Sequence, residues 1–170
     1  IGVMKVEPHK FRMKKGSRMT KMKSYPLNPV KRKALEAIIA ELLRNDVIEH
    51  SRSSEYNSPI VLVIKSPGVY RFTLDFRRLN SCLEPEPLVF PDPIAALEIA
   101  GGGDAGCRFS IDMKDMYFSV MLHEACRDMT TFACHVGSFR FKRCPQGLMT
   151  SSSAACQPVQ AALANLSYDK

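Results

Sequence analysis

Apolar side chains along this chain recur in two rhythms, one helical and one extended. Leu35, Ile38, Ile39, Leu42 and Leu43 repeat at helical spacing, while Lys31, Arg32, Lys33, Glu36, Glu41 and Arg44 fill the other face. Asn28 can cap that helix, Pro29 is tolerated at its first position, and Asn45 suits its end. Val47-Ile48 restarts apolar contact and leads toward a strand. Residues 58–65 form a short apolar run, Ser66-Pro67-Gly68 is turn chemistry, and the next segment alternates. Tyr70, Phe72, Leu74 and Phe76 share one face there, and Arg71, Thr73 and Asp75 share the other. The pair reads as a β-hairpin with a basic edge.

Four prolines, Pro85, Pro87, Pro91 and Pro93, make residues 82–93 an extended connection. A short helix is predicted to follow and to end at Gly101-Gly102-Gly103, a run that also suits a hinge. Phe109, Ile111 and Met113 alternate with Arg108, Ser110 and Asp112, which predicts a strand over 107–113 with Asp112 on its polar face. Two more strands are predicted at 130–134 and 139–142, around His135-Val136-Gly137-Ser138. Residues 150–166 are rich in Ala and Ser and read as helical, with Pro158 expected to kink the helix or end its first turns. The fold class is α+β: antiparallel strands with packed helices.

Charge changes the picture at the N-terminus. Residues 1–24 hold eight Lys or Arg and one acid, Glu7, which predicts a basic arm that is disordered or laid along a partner. The formal net charge of +7 suits an anionic partner such as nucleic acid, although a solvated basic face is an equal account. The six cysteines form no CxxC pair and no zinc-like spacing with His, and read as reduced thiols of an intracellular protein. No apolar run is long enough to span a bilayer, and no membrane partner is expected. The chain opens on Ile1, which suggests a segment of something longer.

Asp112 is the first residue with chemistry to offer. Metal-assisted phosphoryl transfer needs hard oxygen ligands, and a carboxylate at a strand end, followed by Lys114, Asp115 and the aromatic pair Tyr117-Phe118, suits that use. Taken alone, such an Asp is more often structural. The order of four motifs decides the matter: Tyr56-Asn57-Ser58-Pro59, then residues 70–80 (YRFTLDFRRLN), then residues 109–120 (FSIDMKDMYFSV), then Cys144-Pro145-Gln146-Gly147-Leu148. This order resembles the reverse transcriptases of retroviruses and gypsy-like LTR retrotransposons, over residues 25–163.

The resemblance implies a right-hand polymerase, with fingers and partial palm over residues 25–170. Residues 25–81 and about 114–145 would give fingers, and 107–113 the palm strand. It implies a template-directed RNA-directed DNA polymerase that uses two Mg²⁺ ions, a dNTP and an RNA or DNA template-primer. Asp112 would bind both metals, with the Met113 backbone as a further metal ligand, and Met113 and Lys114 would face the triphosphate. Lys65 and Arg71 would grip its phosphates, as a point charge and a planar fork; a solvated hairpin edge is the alternative. Tyr117 would stack beneath the deoxyribose, or simply pack in the core. Gln146 would contact nucleotide and template, or be an exposed turn residue. Asp75, Arg77 and Asn80 would position the template, with ion pairing inside the fingers an equal account of Asp75 and Arg77.

The match also has gaps. The family's Tyr-x-Asp-Asp hairpin is not found; Tyr168-Asp169-Lys170 is the nearest string. Residues 1–170 alone are therefore expected not to extend a primer. Beyond Gly147, Ser152 and Ser153 stand in the family's Pro region, Cys156 replaces an aromatic, and Gln157 comes one residue late. One extra residue turns a helix by about 100°. An alternative reading is a non-catalytic descendant, used as a scaffold or RNA-binding subunit of a larger assembly. The expected location is intracellular, in cytoplasm or a virus-like particle, with the nucleus as a further option.

Overall fold

The computed structural model describes residues 1–19, 21–52, 54–87, 94 and 112–164. Helix α1 spans Pro29–Arg44. Asn28 Oδ1 accepts the Lys31 amide at 2.8 Å, so the predicted cap forms. The helix ends at its Asn45 signal, which is the C-cap residue. Asp46 takes the left-handed conformation (φ 54°), its amide donates to Leu43 O, and the Val47 amide donates to Leu42 O. That pairing closes the last carbonyls of the helix. Leu35 and Ile39 are its buried residues.

Strand β1 (Ile48–His50) follows at once, then β2 (Ile60–Ser66) and β3 (Val69–Leu74). β2 and β3 pair antiparallel as the predicted hairpin, with Ile60 opposite Leu74 and Leu62 opposite Phe72. Pro67-Gly68 makes its two-residue turn, and Gly68 at φ 77° supplies the positive dihedral that turn needs. The register slips between Ile64 and Ser66, so the ladder is interrupted at Lys65. Helix α2 (Arg77–Cys82), a 3-10 turn over Met116–Ser119, and α3 (Glu124–Arg127) come next. Strands β4 (Phe132–Cys134) and β5 (Gly137–Phe141) precede α4 (Ser151–Ala164). β5 lies between β1 and β4 in a three-stranded antiparallel sheet.

The two sheets meet through aromatic rings. Phe132 is fully buried and lies 5.5 Å from Phe72 of the hairpin and 5.7 Å from both Phe139 and Phe141, centroid to centroid. Such pairs add about 0.5–1.5 kcal/mol each beyond the area they bury. The hairpin is thus anchored at its base, while its far end carries exposed Ile64, Lys65 and Val69.

Four expectations are corrected in whole or in part. The basic arm is not disordered: it packs on its own chain. Phe11 and Met19 are buried, His9 bridges Leu122, Met13 bridges Leu83, and the Glu84 amide donates to Arg12 O. Of the two outcomes expected at Pro158, a kink or an end, the end does not occur: helix α4 runs through it. Asp75, placed on the polar face of the hairpin, is buried, because its carboxylate has internal donors. Asp112 and Met113 stand in no strand, while residues 107–111 of the predicted palm strand lie outside the described residues, as do the glycine run and nearly all of the helix before it. The five described cysteines carry no disulfide.

Candidate nucleotide and template site

The hairpin positions the two candidate phosphate ligands. Arg71 lies opposite Val63 on β3, and Lys65 falls at the bulge near the turn, so both cations belong to the outer half of one hairpin. Both are exposed, and among the described residues neither side chain has a hydrogen bond or ion pair. Other cations contrast with them. Arg140 bonds Glu49 and Asp128, Lys142 bonds Asp46, and buried Arg143 donates to the carbonyls of Ile1, Gly2, Asp46 and Phe118. Those cations are bonded within the fold; Lys65 and Arg71, on one hairpin, are not.

The base of β3 leads into the next group. Asp75 accepts from Arg77 Nε at 2.8 Å and Arg77 Nη2 at 2.7 Å, a bidentate pair, and from the Tyr25 hydroxyl at 2.9 Å. The Arg77 hydrogen bonds, opposed by burial and aided by Tyr25, hold the Asp75 carboxyl far below the usual carboxylate range. The Arg77 side chain itself is 85% exposed. An open cleft of about 320 Å³ lies beside the pair, lined by Met22, Asp75, Arg77, Arg78 and Ser81. Lys14 of the arm donates to Ser81 O at 3.0 Å and brings a further cation to its edge.

Asn80, one turn along α2, reaches the Pro-Gln-Gly turn. Its Nδ2 donates to Gly147 O at 3.0 Å and its Oδ1 accepts the Met149 amide at 2.9 Å. Gly147 has φ 90°, a conformation that favours glycine, and a side chain there would meet Leu74 O at 3.8 Å. The turn is therefore seated on the end of β3. Gln146, between Pro145 and Gly147, is exposed. On the far side, Ser151 donates to Pro145 O at 2.7 Å. Tyr117 is half-buried against the core, with its hydroxyl 3.4 Å from Ser152 Oγ on α4, immediately after that turn. Asp112, Met113 and Lys114 are exposed.

The structure thus joins Lys65 to Arg71, Asp75 to Arg77, Asn80 to the Gln146 turn, and Tyr117 to α4. Among the described residues Asp112 makes no hydrogen bond or ion pair with the others. Among the described residues no cluster of three or more His, Cys, Asp or Glu could hold a metal. Asp112 and the Met113 carbonyl are oxygen donors that fit one side of a hard-cation site, and no more than one side.

Two functional residues carried no role in the sequence reading. Tyr25 fixes Asp75, and buried Asn57 ties the arm to the sheet: its Nδ2 donates to Met22 O and its Oδ1 accepts the Ala133 amide at 2.8 Å. Asn57 stood inside a recognised motif, so its position was the available signal.

No protein-family model matches the chain. Among curated proteins, it is 35% identical over 131 residues to the retrovirus-related Pol polyprotein from transposon opus of Drosophila melanogaster, covering 74% of this chain and 13% of that protein. It is 31% identical over 145 residues to the Pol polyprotein from transposon 412 of the same organism, covering 76% and 12%. It is 28% identical over 145 residues to the Gag-Pro-Pol polyprotein of mouse mammary tumor virus, covering 80% and 8%. The chain therefore spans about a tenth of the length of these relatives. Among solved structures, the foamy viral protease-reverse transcriptase in complex with double-stranded DNA superposes at TM-score 0.79 and 21% identity, over 97% of this chain and 28% of that one. The same enzyme with an RNA/DNA hybrid gives 0.81 and 20%, over 98% and 22%. The motif order, the fold and the relatives agree: the chain belongs to the reverse transcriptase family of retrotransposon and retroviral Pol polyproteins, with the fold of its fingers and partial palm.

Proposed function

We propose that this chain supplies the nucleotide-gripping fingers and first palm carboxylate of an RNA-directed DNA polymerase acting inside the cell, in cytoplasm or a virus-like particle. The observation that supports it most is the placement of two unbonded cations on one hairpin beside the Gln146 turn. Lys65 and Arg71 project from one hairpin without internal side-chain hydrogen bonds among the described residues, and the end of β3 in that hairpin lies against the turn that presents Gln146. At about 3.3 Å per residue, Arg71 stands about 10 Å along the strand from Leu74, where that turn is seated. Lys65 and Arg71 bind the phosphates, Gln146 meets the nucleotide with the template, and Tyr117 forms the floor beneath its sugar. The template strand passes over α2 and the cleft beside it, met by Arg77, while Asp75 and Asn80 hold the elements that meet it.

Asp112 and the backbone of Met113 would hold Mg²⁺, two ions in the complete centre, and Met113 and Lys114 would face the triphosphate. When bound, the metal neutralises the triphosphate and favours ionisation of the primer 3′-hydroxyl.

Asp112 gives the decisive test, because it is exposed and has no hydrogen bond among the described residues. In the protein extended to the length of its relatives, Asp112→Asn should abolish Mg²⁺-dependent primer extension on RNA and leave thermal stability within about 0.5 kcal/mol. Normal extension by that variant would remove the catalytic assignment and leave the non-catalytic scaffold as the better account.

A further inference from the structure

We infer that Asn80 is a positioning residue that sets the orientation of Gln146, and so acts on nucleotide binding rather than by touching the template. The inference rests on the nucleotide reading of Gln146.

The side-chain amide of Asn80 makes two opposite hydrogen bonds to one short loop. Its Nδ2 gives a proton to Gly147 O, and its Oδ1 takes one from the Met149 amide. A carbonyl can only accept and an amide N–H can only donate, so these partners fix which end of the side chain points where. Asn and Gln carry a donor and an acceptor on one planar amide, and Asn has the shorter reach. The base of the brace is rigid in turn. The Asn80 amide donates to Phe76 O at 2.7 Å, and Leu83 donates back to Asn80 O at 3.2 Å. The brace commits one of its two donor hydrogens and one of its two acceptor lone pairs to the loop. What the brace leaves exposed is Gln146, next to the braced Gly147. Gly147 at φ 90° has glycine's freedom to move, so without the brace Gln146 would sample several directions.

Two readouts in the full-length protein test this. One is amide hydrogen exchange at Met149, with Phe141, held by Thr130 Oγ1 at 3.0 Å, as the remote reference. The other is the Kd of a deoxynucleoside triphosphate on a dideoxy-terminated template-primer. Asn80→Ala should speed Met149 exchange about tenfold with Phe141 unchanged, and raise the nucleotide Kd about tenfold with template-primer affinity within about twofold. Asn80→Asp keeps the acceptor for Met149 but sets a carboxylate against Gly147 O; it should keep Met149 protection yet weaken nucleotide binding. In a Gln146→Ala background, Asn80→Ala should add less than about twofold. Unchanged Met149 exchange in Asn80→Ala, or a loss of template affinity with nucleotide Kd intact, overturns the proposal. If Asn80→Ala also loses Phe141 protection, Asn80→Asp carries the test alone. If Gln146→Ala leaves nucleotide Kd unchanged while Asn80→Ala still frees Met149, the brace exists but the nucleotide reading of Gln146 is what has failed.

Discussion

At the scale of single residues, the candidate site is made of two kinds of polar group. One kind is bonded inside the chain and shapes the surface; the other is exposed and offered to a ligand. Asp75 belongs to the first kind. Its carboxyl is held far below the usual range by Arg77 and Tyr25, and a depressed folded value means stability present above the unfolded pKa of about 4 and lost as pH falls below it. Tyr25→Phe removes one hydrogen bond to a charged acceptor. It should cost about 1 kcal/mol near pH 7, and that difference should persist down to about pH 3 and shrink only as the folded carboxyl itself protonates in stronger acid, checked by denaturant midpoints across pH. A constant difference across pH would show that the Tyr25 hydroxyl matters for packing and not for the charge. The sequence placed Asp75 and Arg77 in the right motif but could not show that the carboxylate is buried, since alternation alone put it on the polar face. Asn80 was legible as a motif residue, yet its partners are 67 and 69 positions away and nothing local announces them. Gln157, one residue late against the family pattern, is exposed on α4, where about 100° of helical rotation separates neighbouring positions.

At the scale of elements, legibility followed length and periodicity. Helix α1, the β2–β3 hairpin and the β4–β5 pair were all readable, because each repeats an apolar period long enough to count. Helix α2 is only six residues and completes too few turns to show a period. The arm carried an unused signal: His9, Phe11 and Met13 alternate with Lys10, Arg12 and Lys14, an extended pattern outweighed by its charge. The hairpin yields a prediction at this scale. Its phosphate ligands are on the outer half, while its stability comes from the base, where Phe72 meets Phe132. Arg71→Ala and Lys65→Ala should each weaken deoxynucleoside triphosphate binding by about ten- to a hundredfold and change unfolding free energy by less than about 0.5 kcal/mol. Phe72→Ala should do the reverse at first order, costing about 3 kcal/mol or more through the lost core contact. Titration of nucleotide beside thermal melts separates the two; a melt shifted strongly by Arg71→Ala would show that the hairpin edge is structural.

At the scale of the whole molecule, the ordered motifs along the sequence gave the right-hand polymerase fold, because motif order constrains topology where no single motif does. Net charge speaks only of partners. The arm buries Phe11 and Met19 and turns Lys10, Lys15 and Arg18 outward, so packing it on its own chain costs none of those cations their exposure. The surface that results is basic along the arm and around α2, where Lys14 meets Ser81. Binding through such a surface is governed by release of counterions from phosphates, so the logarithm of the association constant should fall linearly with the logarithm of salt concentration, by about 0.9 per phosphate neutralised on duplex and about 0.7 on single strands. The triple variant K10Q/R18Q/K15Q should bind RNA–DNA hybrid more weakly at low salt and show a slope shallower by up to about one unit for each cation that reaches a phosphate. Because these side chains have no internal partner among the described residues, its melting temperature should match the parent. The choice of sequence in the duplex should matter little, since phosphate contacts carry no base information. Filter-binding titrations at four or more salt concentrations read the slope directly. An unchanged slope in the triple variant would place the nucleic acid elsewhere on the molecule. The arm would then be an element of packing alone, whose charge serves only to keep its outer face in water.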